Sequence, residues 1–290
     1  MQRERVPMRE ERAAPDYQKR GKEILPLVQV NMPYRFLVEK YLPWVLKERI
    51  NPEIGFDCFS LDHYNGDDFR KTAEILAEAG LSITFHAPFY DLRPGALDPR
   101  IRQVTMDRLR AVFDLVPWFR PKSVVCHAAF DRRYYVSHED EWLENSIETW
   151  EYLADLARRV DTVIALENTY EDTPESFGRL MDHFRDDPQV VCCFDTGHCN
   201  AFSEISFSGW LDRIGAYIGQ LHLHDNDGSG DGHLPPGEGT FPFADFFAQL
   251  KAMGTRPIVT LEPHLEEDLW KSLHNVASLR LLEGRSGHPD

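Results

Sequence analysis

The sequence predicts a single (β/α)8 TIM barrel of the α/β class, and three observations lead to this prediction. From residue 25 onward, short apolar runs alternate with amphipathic helical stretches. Most of these runs are continuously apolar, as expected for parallel strands buried on both faces. The chain of 290 residues is also close to the length of one such barrel, about 250 residues.

Each element follows from its local pattern. Helical periodicity appears at residues 67–80, 99–117 and 138–159, and Gly80 closes the first of these helices. Thr173 and Pro174 predict an N-cap followed by a proline in the first helical turn. A doubly wound sheet is the alternative, but its glycine-rich phosphate loop is absent after the first strand. The predicted strands are LPLVQVNMP (25–33), EIGFDCFSL (53–61), LSITFHAPF (81–89), KSVVCHAAF (122–130), TVIALENTY (162–170), QVVCCFDTGH (189–198), YIGQLHLHD (217–225) and RPIVTLEPH (256–264).

The predicted organisation is a charged N-terminal extension at residues 1–22 and one barrel at residues 23–290. The extension lacks the apolar core of a secretory signal, so we expect a solvated segment or an ordered strap. The five cysteines form no C-x-x-C pair, which favours a reducing, cytoplasmic compartment. No apolar run approaches the roughly 18 residues of a membrane span, so no membrane association is expected.

The charge balance limits the partners. The chain has 32 basic and 48 acidic residues, a net charge of −16. Duplex DNA binding requires lysines and arginines that neutralise several phosphates, so this balance disfavours duplex DNA. Abundant carboxylates are compatible with a divalent-metal protein, although an acidic solvated surface gives the same composition.

Ionisable residues follow six consecutive predicted strands, from the third to the eighth. In a barrel these strand ends meet at one rim, where active sites lie. Burying many ionisable groups together is costly unless they are paired or hold a metal. The residues are His86, His127, Glu167, Asp195, His198, His222, His224, Asp225, Glu262 and His264.

Nine side chains are predicted as metal ligands, two of them, Asp231 and His233, in the loop after the seventh strand. Histidines and carboxylates without cysteine favour Zn²⁺, with Mn²⁺, Fe²⁺ or Co²⁺ as alternatives. Nine ligands exceed the needs of one ion, so two or three ions are expected. The set comprises His86, His127, Glu167, Asp195, His198, His222, Asp231, His233 and Glu262.

The same rim supplies candidates for substrate binding. An arginine could bind phosphate through two hydrogen bonds, with a solvated surface position as the competing interpretation. The tyrosines could stack on a ring, and His224 could instead support a ligand. Asp225 could orient a ligand histidine. The substrate-binding candidates are His224, His264, Arg93, Arg132, Tyr90 and Tyr170.

The phrases FHAPFYDL, VVCHAAFD, LENTY, FDTGH, LHLHDN, DGHLPPGEG and TLEPH resemble the endonuclease IV and xylose-isomerase-like TIM-barrel superfamily, over roughly residues 25–283. In its isomerases and epimerases, the resemblance implies one ion held by Glu167, Asp195, His222 and Glu262. Glu167 and Glu262 would then be the catalytic pair. The endonuclease IV pattern adds five ligands and implies a trinuclear zinc-type site; they correspond to His86, His127, His198, Asp231 and His233.

The five additional ligands favour a multi-metal phosphoester hydrolase acting on a small non-DNA phosphodiester or nucleotide-type substrate. The resembling superfamily includes a cobamide-remodelling hydrolase, so the cobamide nucleotide loop is one candidate substrate. A metal-dependent sugar or sugar-phosphate isomerase or epimerase is the alternative, and a non-catalytic ligand-binding barrel is the third hypothesis. The expected partner is a small phosphorylated or sugar-like molecule, and the oligomeric state stays open.

Overall fold

The computed structural model describes residues 16–284, in which eight parallel strands close into one barrel. The predicted (β/α)8 barrel is therefore confirmed. Pairing of the last strand with the first closes the sheet. The strands are β1 (Gln29–Pro33), β2 (Asn51–Gly55), β3 (Thr84–His86), β4 (Ser123–His127), β5 (Val163–Glu167), β6 (Val190–Asp195), β7 (Ile218–Leu223) and β8 (Ile258–Leu261).

Helices surround the barrel, and none of those in the described residues is long and apolar enough to cross a membrane. A π-helical segment, Leu37–Tyr41, joins the second and third α-helices. Short 3-10 turns at Leu25–Leu27 and Gly215–Tyr217 precede β1 and β7. The α-helices are α1 (Asp16–Ile24), α2 (Tyr34–Phe36), α3 (Leu42–Glu48), α4 (Cys58–His63), α5 (Gly66–Glu78), α6 (Pro99–Phe113), α7 (Val116–Phe119), α8 (Arg132–Tyr135), α9 (Glu139–Val160), α10 (Glu175–His183), α11 (Thr196–Phe202), α12 (Phe207–Ile214), α13 (Phe243–Ala252) and α14 (Glu266–Ser278).

Helix α5 shows how the sequence sets these elements. The Asn65 side chain accepts hydrogen bonds from the backbone N–H groups of Asp67 and Asp68 and so caps the helix. Phe69 and Leu76 lie on its buried face. Gly80 follows in the left-handed region, at a φ of +64°, which a glycine adopts without strain and which ends the helix.

The second predicted strand, residues 53–61, is wrong in its position. Strand β2 spans Asn51–Gly55, and helix α4 follows it. The cause is local: the Asp57 carboxylate accepts a hydrogen bond from the backbone N–H of Ser60 at 2.7 Å, which starts the helix. The other predicted strands are longer than the observed ones but overlap them.

Two helix predictions also need correction. The helix predicted at residues 99–117 is two helices, α6 and α7, and Pro117 lies in the first turn of α7. Helix α10 begins at Glu175, so Pro174 occupies its N-cap position and Thr173 does not cap it. Proline at this position supplies no capping side chain, and the structure has no side-chain cap there.

Residues 16–22 of the predicted extension form most of helix α1, which lies against the C-terminal helix α14. A Cβ atom on Gly21 would come within 3.1 Å of Leu273 and 3.3 Å of the Trp270 ring. Lys22 pairs with Glu48 at 2.9 Å. This part of the extension therefore packs on the barrel, and residues 1–15 lie outside the described residues.

Strand register brings polar side chains to one level of the barrel. His127 at the end of β4 pairs in register with Glu167 at the end of β5. Asp195 at the end of β6 pairs with His222 of β7. Adjacent strands thus present their ionisable residues side by side at the carboxyl ends of the strands.

Candidate metal centre

The nine sequence-predicted ligands form one network of short contacts, with Glu167 at its centre. Nε2 of His86 and Nε2 of His127 lie 3.3 and 3.2 Å from Oε2 of Glu167. Its other oxygen, Oε1, lies 3.3 Å from Nδ1 of His198 and 3.3 Å from Nδ1 of His222. Glu167 can therefore bridge two neighbouring ion positions.

A second position lies around Nδ1 of His222, where three carboxylates meet. Glu167 Oε1, Glu262 Oε1 and Asp195 Oδ2 lie 3.3, 3.1 and 3.8 Å from this nitrogen. His222 and Asp195 are fully buried. These four residues are the set that the resemblance assigns to a single ion.

A third position is formed by the loop after β7 together with α11. Nε2 of His198 and Nε2 of His233 lie 3.4 and 3.6 Å from Oδ2 of Asp231. Asp231 is the most exposed of the nine, with 31% of its side-chain surface accessible. The sites thus run from the buried barrel interior outward.

The ring orientations suit metal ligation. Nδ1 of His86 lies 2.9 Å from the Ala87 carbonyl, Nδ1 of His198 lies 2.9 Å from that of Asn168, and Nδ1 of His233 lies 3.1 Å from that of Glu262. A carbonyl oxygen can only accept, so these nitrogens carry the ring protons. Nε2 of each histidine is then left as a lone-pair donor that faces a carboxylate, as in metal-binding histidines.

Glu53 of β2 is a functional candidate that the sequence reasoning missed. Its Oε1 lies 3.0 Å from Nε2 of His222. Its Oε2 accepts hydrogen bonds from Thr84 and Thr260 at 3.0 Å and from the Gln220 amide at 2.6 Å. This fully buried carboxylate favours a proton on Nε2 of His222 and leaves Nδ1 for a ligand. The available signal was a glutamate inside an apolar strand.

The electrostatics of the cluster require positive charge. Burial alone would raise the pKa of Glu167, but the nearby histidines, His222 and His127 foremost, hold it well below its ordinary range. Burial alone would lower the pKa of His198, but Asp195, Asp231 and Glu167 together raise it well above its ordinary value. Protons on histidines or bound divalent cations can balance these carboxylates.

Buried polar atoms without partners test whether a metal fits. Oε2 of Glu167 and Nδ1 of His222 are buried and make no hydrogen bond of regular geometry to the described residues. Groups of three donors with ligand atoms within 4.8 Å of one another include His86, Glu167 and His222, and also Asp195, His198 and His224. This donor set fits Zn²⁺ and related divalent ions.

Asp225 has a different role from the predicted one. Its carboxylate accepts hydrogen bonds from the backbone N–H groups of Asn226 (2.9 Å), Gly237 (2.9 Å), Gly239 (2.9 Å) and Phe241 (3.0 Å). It therefore fixes the loop that carries Asp231 and His233, and does not orient a ligand histidine. A Cβ atom on Gly239 would meet the Asn226 carbonyl oxygen and the Asp225 carboxylate, so this close approach requires a glycine.

A cavity of about 730 Å³ opens above the cluster. Three substrate-binding candidates, Tyr90, Tyr170 and His264, line it. The ring of His264 stacks on that of His233, with centroids 4.3 Å apart. The structure thus keeps these three at the mouth of the site.

The other three substrate-binding candidates lie elsewhere. The Arg93 guanidinium packs over the Tyr134 ring at 5.0 Å, and Arg132 pairs with Asp172 at 3.1 Å, so neither lines the cavity. His224 is buried, and its Nε2 lies 3.1 Å from Asp195. Arg93 and Arg132 therefore make their contacts outside the cavity. His224 contacts Asp195 and does not line the cavity.

Comparison with known proteins agrees with this architecture. The sequence model of the family described as "Xylose isomerase-like TIM barrel" matches residues 52–279. The chain belongs to this family. Uncharacterized protein MJ1311 of Methanocaldococcus jannaschii is 28% identical over 232 residues, which cover 76% of this chain and 79% of that protein.

Solved structures share the fold of this xylose isomerase-like chain. A D-tagatose 3-epimerase-like protein superposes with a TM-score of 0.73 at 24% identity and covers 87% of this chain and 96% of its own. The TTHB071 protein from Thermus thermophilus, from a crystal soaked with ZnCl2, has a TM-score of 0.72 at 23% identity over 90% of this chain and all of its own (100%). At these identities the likeness concerns the fold.

Proposed function

We propose that the protein is a divalent-metal-dependent isomerase or epimerase acting on a small sugar-like substrate. One observation carries the proposal: Glu167 and Glu262 approach Nδ1 of His222 from different strands, at 3.3 and 3.1 Å, with Asp195 beside them. Two carboxylates on either side of a substrate can move a proton between its carbons. The likeness to a D-tagatose 3-epimerase-like protein supports this over the hydrolase that the ligand count alone favours.

Glu167 and Glu262 both reach the cavity that would hold the substrate. The low pKa of Glu167, held down by its histidine neighbours against the effect of burial, keeps this carboxylate ionised at neutral pH. Glu262 is less buried, with 12% of its side chain accessible, and can exchange a proton with a substrate carbon. Asp195 and His222 complete the set that would hold a divalent ion, and such an ion supplies polarisation of the substrate's oxygens.

A second candidate, the multi-metal phosphoester hydrolase, is favoured by a specific observation. His198 and His233 flank Asp231, and His86 and His127 face Glu167, positions that a single-ion isomerase does not need. These residues would hold further ions, preferably Zn²⁺. A small phosphorylated substrate fits this candidate better than duplex DNA, because binding a duplex requires neutralisation of several phosphates and the chain has a net charge of −16.

Substitution of Asp231 or His233 by alanine separates the two candidates. For an isomerase, we expect Asp231→Ala and His233→Ala to keep one ion per chain and turnover within about tenfold of the wild type. For a hydrolase, we expect loss of at least one ion and of activity by orders of magnitude. Metal analysis, sugar isomerisation or epimerisation and phosphate-ester cleavage are measured on each variant.

Two controls calibrate this experiment. Glu262→Gln should abolish turnover under either candidate, because both need this carboxylate. Glu144→Gln, an exposed glutamate of α9 that does not line the cavity, should leave turnover unchanged. Phosphate-ester cleavage by the wild type that disappears in both alanine variants would overturn the isomerase proposal.

A further inference from the structure

The cavity above the metal cluster has two chemically different sides. The ligands come from β3 to β8 and the loop after β7. The other part of the lining comes mainly from β1, α2, α3, α6 and the segment after β8, and most of its large side chains are apolar. We call this side the apolar wall; it consists of Met32, Phe36, Trp44, Val104, Leu265 and Leu269.

Several residues of the apolar wall are unusually exposed for their type. Phe36, Val104 and Leu265 have 51%, 56% and 64% of their surface accessible. Exposed apolar groups gathered at a cavity mark a binding surface rather than chance solvent exposure. Covering them removes apolar area from water, which favours binding of an apolar group.

Three polar side chains beside the apolar wall already have partners. Arg108 forms two hydrogen bonds to Asp62, the Asn31 amide donates to Glu53, and Asp57 accepts from the backbone of Ser60. A sugar ring placed against this side would find few side-chain partners for its hydroxyl groups, and each hydroxyl that the contact removes from water without a new partner costs free energy. The apolar wall therefore favours an apolar group over a hydroxyl-rich one.

The size of the cavity and its rings indicate an aromatic group. A volume of about 730 Å³ lies within the range of pockets that enclose drug-sized ligands, about 300–1,000 Å³. Phe89 stacks on the ring of His127 at 4.3 Å and lies tilted against the ring of Tyr90 at 4.4 Å, next to the cluster. Flat rings pack well against such aromatic side chains.

We infer that the substrate is a sugar carrying an aromatic substituent, with its oxygen-rich end at the metal cluster and its ring on the apolar wall. The inference rests on the proposed function, because the cluster must hold the polar end. It narrows the substrate class from sugars in general to aryl-substituted sugars.

Two small metal-binding probes test the apolar wall without an assay of turnover. Acetohydroxamate and benzohydroxamate share the same pair of metal-binding oxygens and differ in a methyl or a phenyl group. We expect the zinc-loaded full chain to bind benzohydroxamate at least tenfold more tightly, which corresponds to about 1.4 kcal/mol. Calorimetric titration gives both affinities.

Variants locate the effect on the apolar wall. In Phe36→Ser, Val104→Ser and Leu265→Ser, the ratio of benzohydroxamate to acetohydroxamate affinity should fall close to the ratio that the two probes show for free Zn²⁺ in solution. The acetohydroxamate affinity and the zinc content should stay unchanged. Ile101→Ser is the matched control: Ile101 lies on α6 like Val104, is 47% exposed and does not line the cavity. It should keep the wild-type ratio.

The possible failures are distinguishable. If acetohydroxamate binds but the phenyl group adds less than about twofold, or if the apolar-wall variants keep the wild-type ratio, the aromatic subsite is refuted and the metal site stands. If the chain takes up no zinc or binds neither probe, the proposed function fails and the inference fails with it.

Discussion

At the scale of single residues, Glu53 shows how a side chain outside the ligand set can control a ligand. Its Oε1 lies 3.0 Å from Nε2 of His222, and the hydrogen bonds from Thr84, Thr260 and Gln220 fix its carboxylate. Carboxylates that receive the N–H of a metal-binding histidine fix its orientation, and their removal typically costs about 10–100-fold in metal affinity. Glu53 is thus a positioning residue for His222.

We expect Glu53→Gln to lower zinc affinity by about 10–100-fold, because an amide is a weaker acceptor for the His222 N–H than a carboxylate. Competition with a chromophoric chelator measures the affinity, and thermal melting of the metal-free chain reports on folding. Glu171→Gln is the control for replacement of a buried glutamate. Burial raises the pKa of Glu171 to about 7, and no contact joins it to His222.

Equal zinc affinities of wild type and Glu53→Gln, with folding intact, would show that Glu53 does not position His222. A matching loss in Glu171→Gln would instead indicate a general effect of charge removal near the cluster. Only a loss confined to Glu53→Gln fits the positioning role.

At the scale of elements, the loop after β7 is organised by one carboxylate. Asp225 receives four backbone N–H groups, three of them from residues 237–241. Asp225 and Leu234 also form an antiparallel bridge. The position of Asp231 and His233 therefore depends on a residue that touches neither.

We expect Asp225→Asn to destabilise the protein by about 3 kcal/mol, since an amide group facing N–H donors leaves buried donors unbonded at about 1–3 kcal/mol each. The same change should remove the ion held by Asp231 and His233 and spare the ion at His222. Urea unfolding and zinc stoichiometry measure the two effects. Asp227→Asn, an exposed aspartate in the same loop, should change neither; loss of all ions in Asp225→Asn would contradict the separate positions.

At the scale of the whole molecule, the sequence predicts the barrel because its strands are buried on both faces and so read as apolar runs. It predicts seven of the nine candidate ligands because they lie at the ends of those runs, and Asp231 and His233 because they stand two residues apart in the loop after the seventh run. It misses Glu53, which lies within a strand rather than at its end. It also misplaces Arg93 and Arg132 at the site, because their partners, Tyr134 and Asp172, are set by tertiary structure.

The concentration of charge at one end of the barrel predicts how the molecule responds to metal removal. The cluster contains five carboxylates, those of Glu53, Glu167, Asp195, Asp231 and Glu262. In the metal-free protein, burial lowers the pKa of His224, but Asp195 and Glu262 raise it to about 9. Protonated histidines thus stabilise the metal-free fold.

The pH dependence of this stabilisation has a defined sign. A histidine with a pKa of about 6.5 unfolded and about 9 folded contributes stability that is fully present below pH 6.5. This contribution is lost as the pH rises through 9. Bound divalent ions replace the protons, so the metal-loaded protein avoids this loss.

We therefore expect zinc at about 100 times its dissociation constant to stabilise the fold by about 2.7 kcal/mol, which corresponds to a melting temperature about 5–10 °C higher for a domain of this size. The difference between zinc-loaded and chelator-treated protein should widen from pH 6.5 to pH 9. Calorimetric melting at several pH values measures it, and His222→Ala, which lacks a central ligand, should respond much less. If chelation leaves the melting temperature unchanged at pH 8 after zinc removal has been verified, the carboxylates do not form a metal centre, because cations that balance them must stabilise the fold.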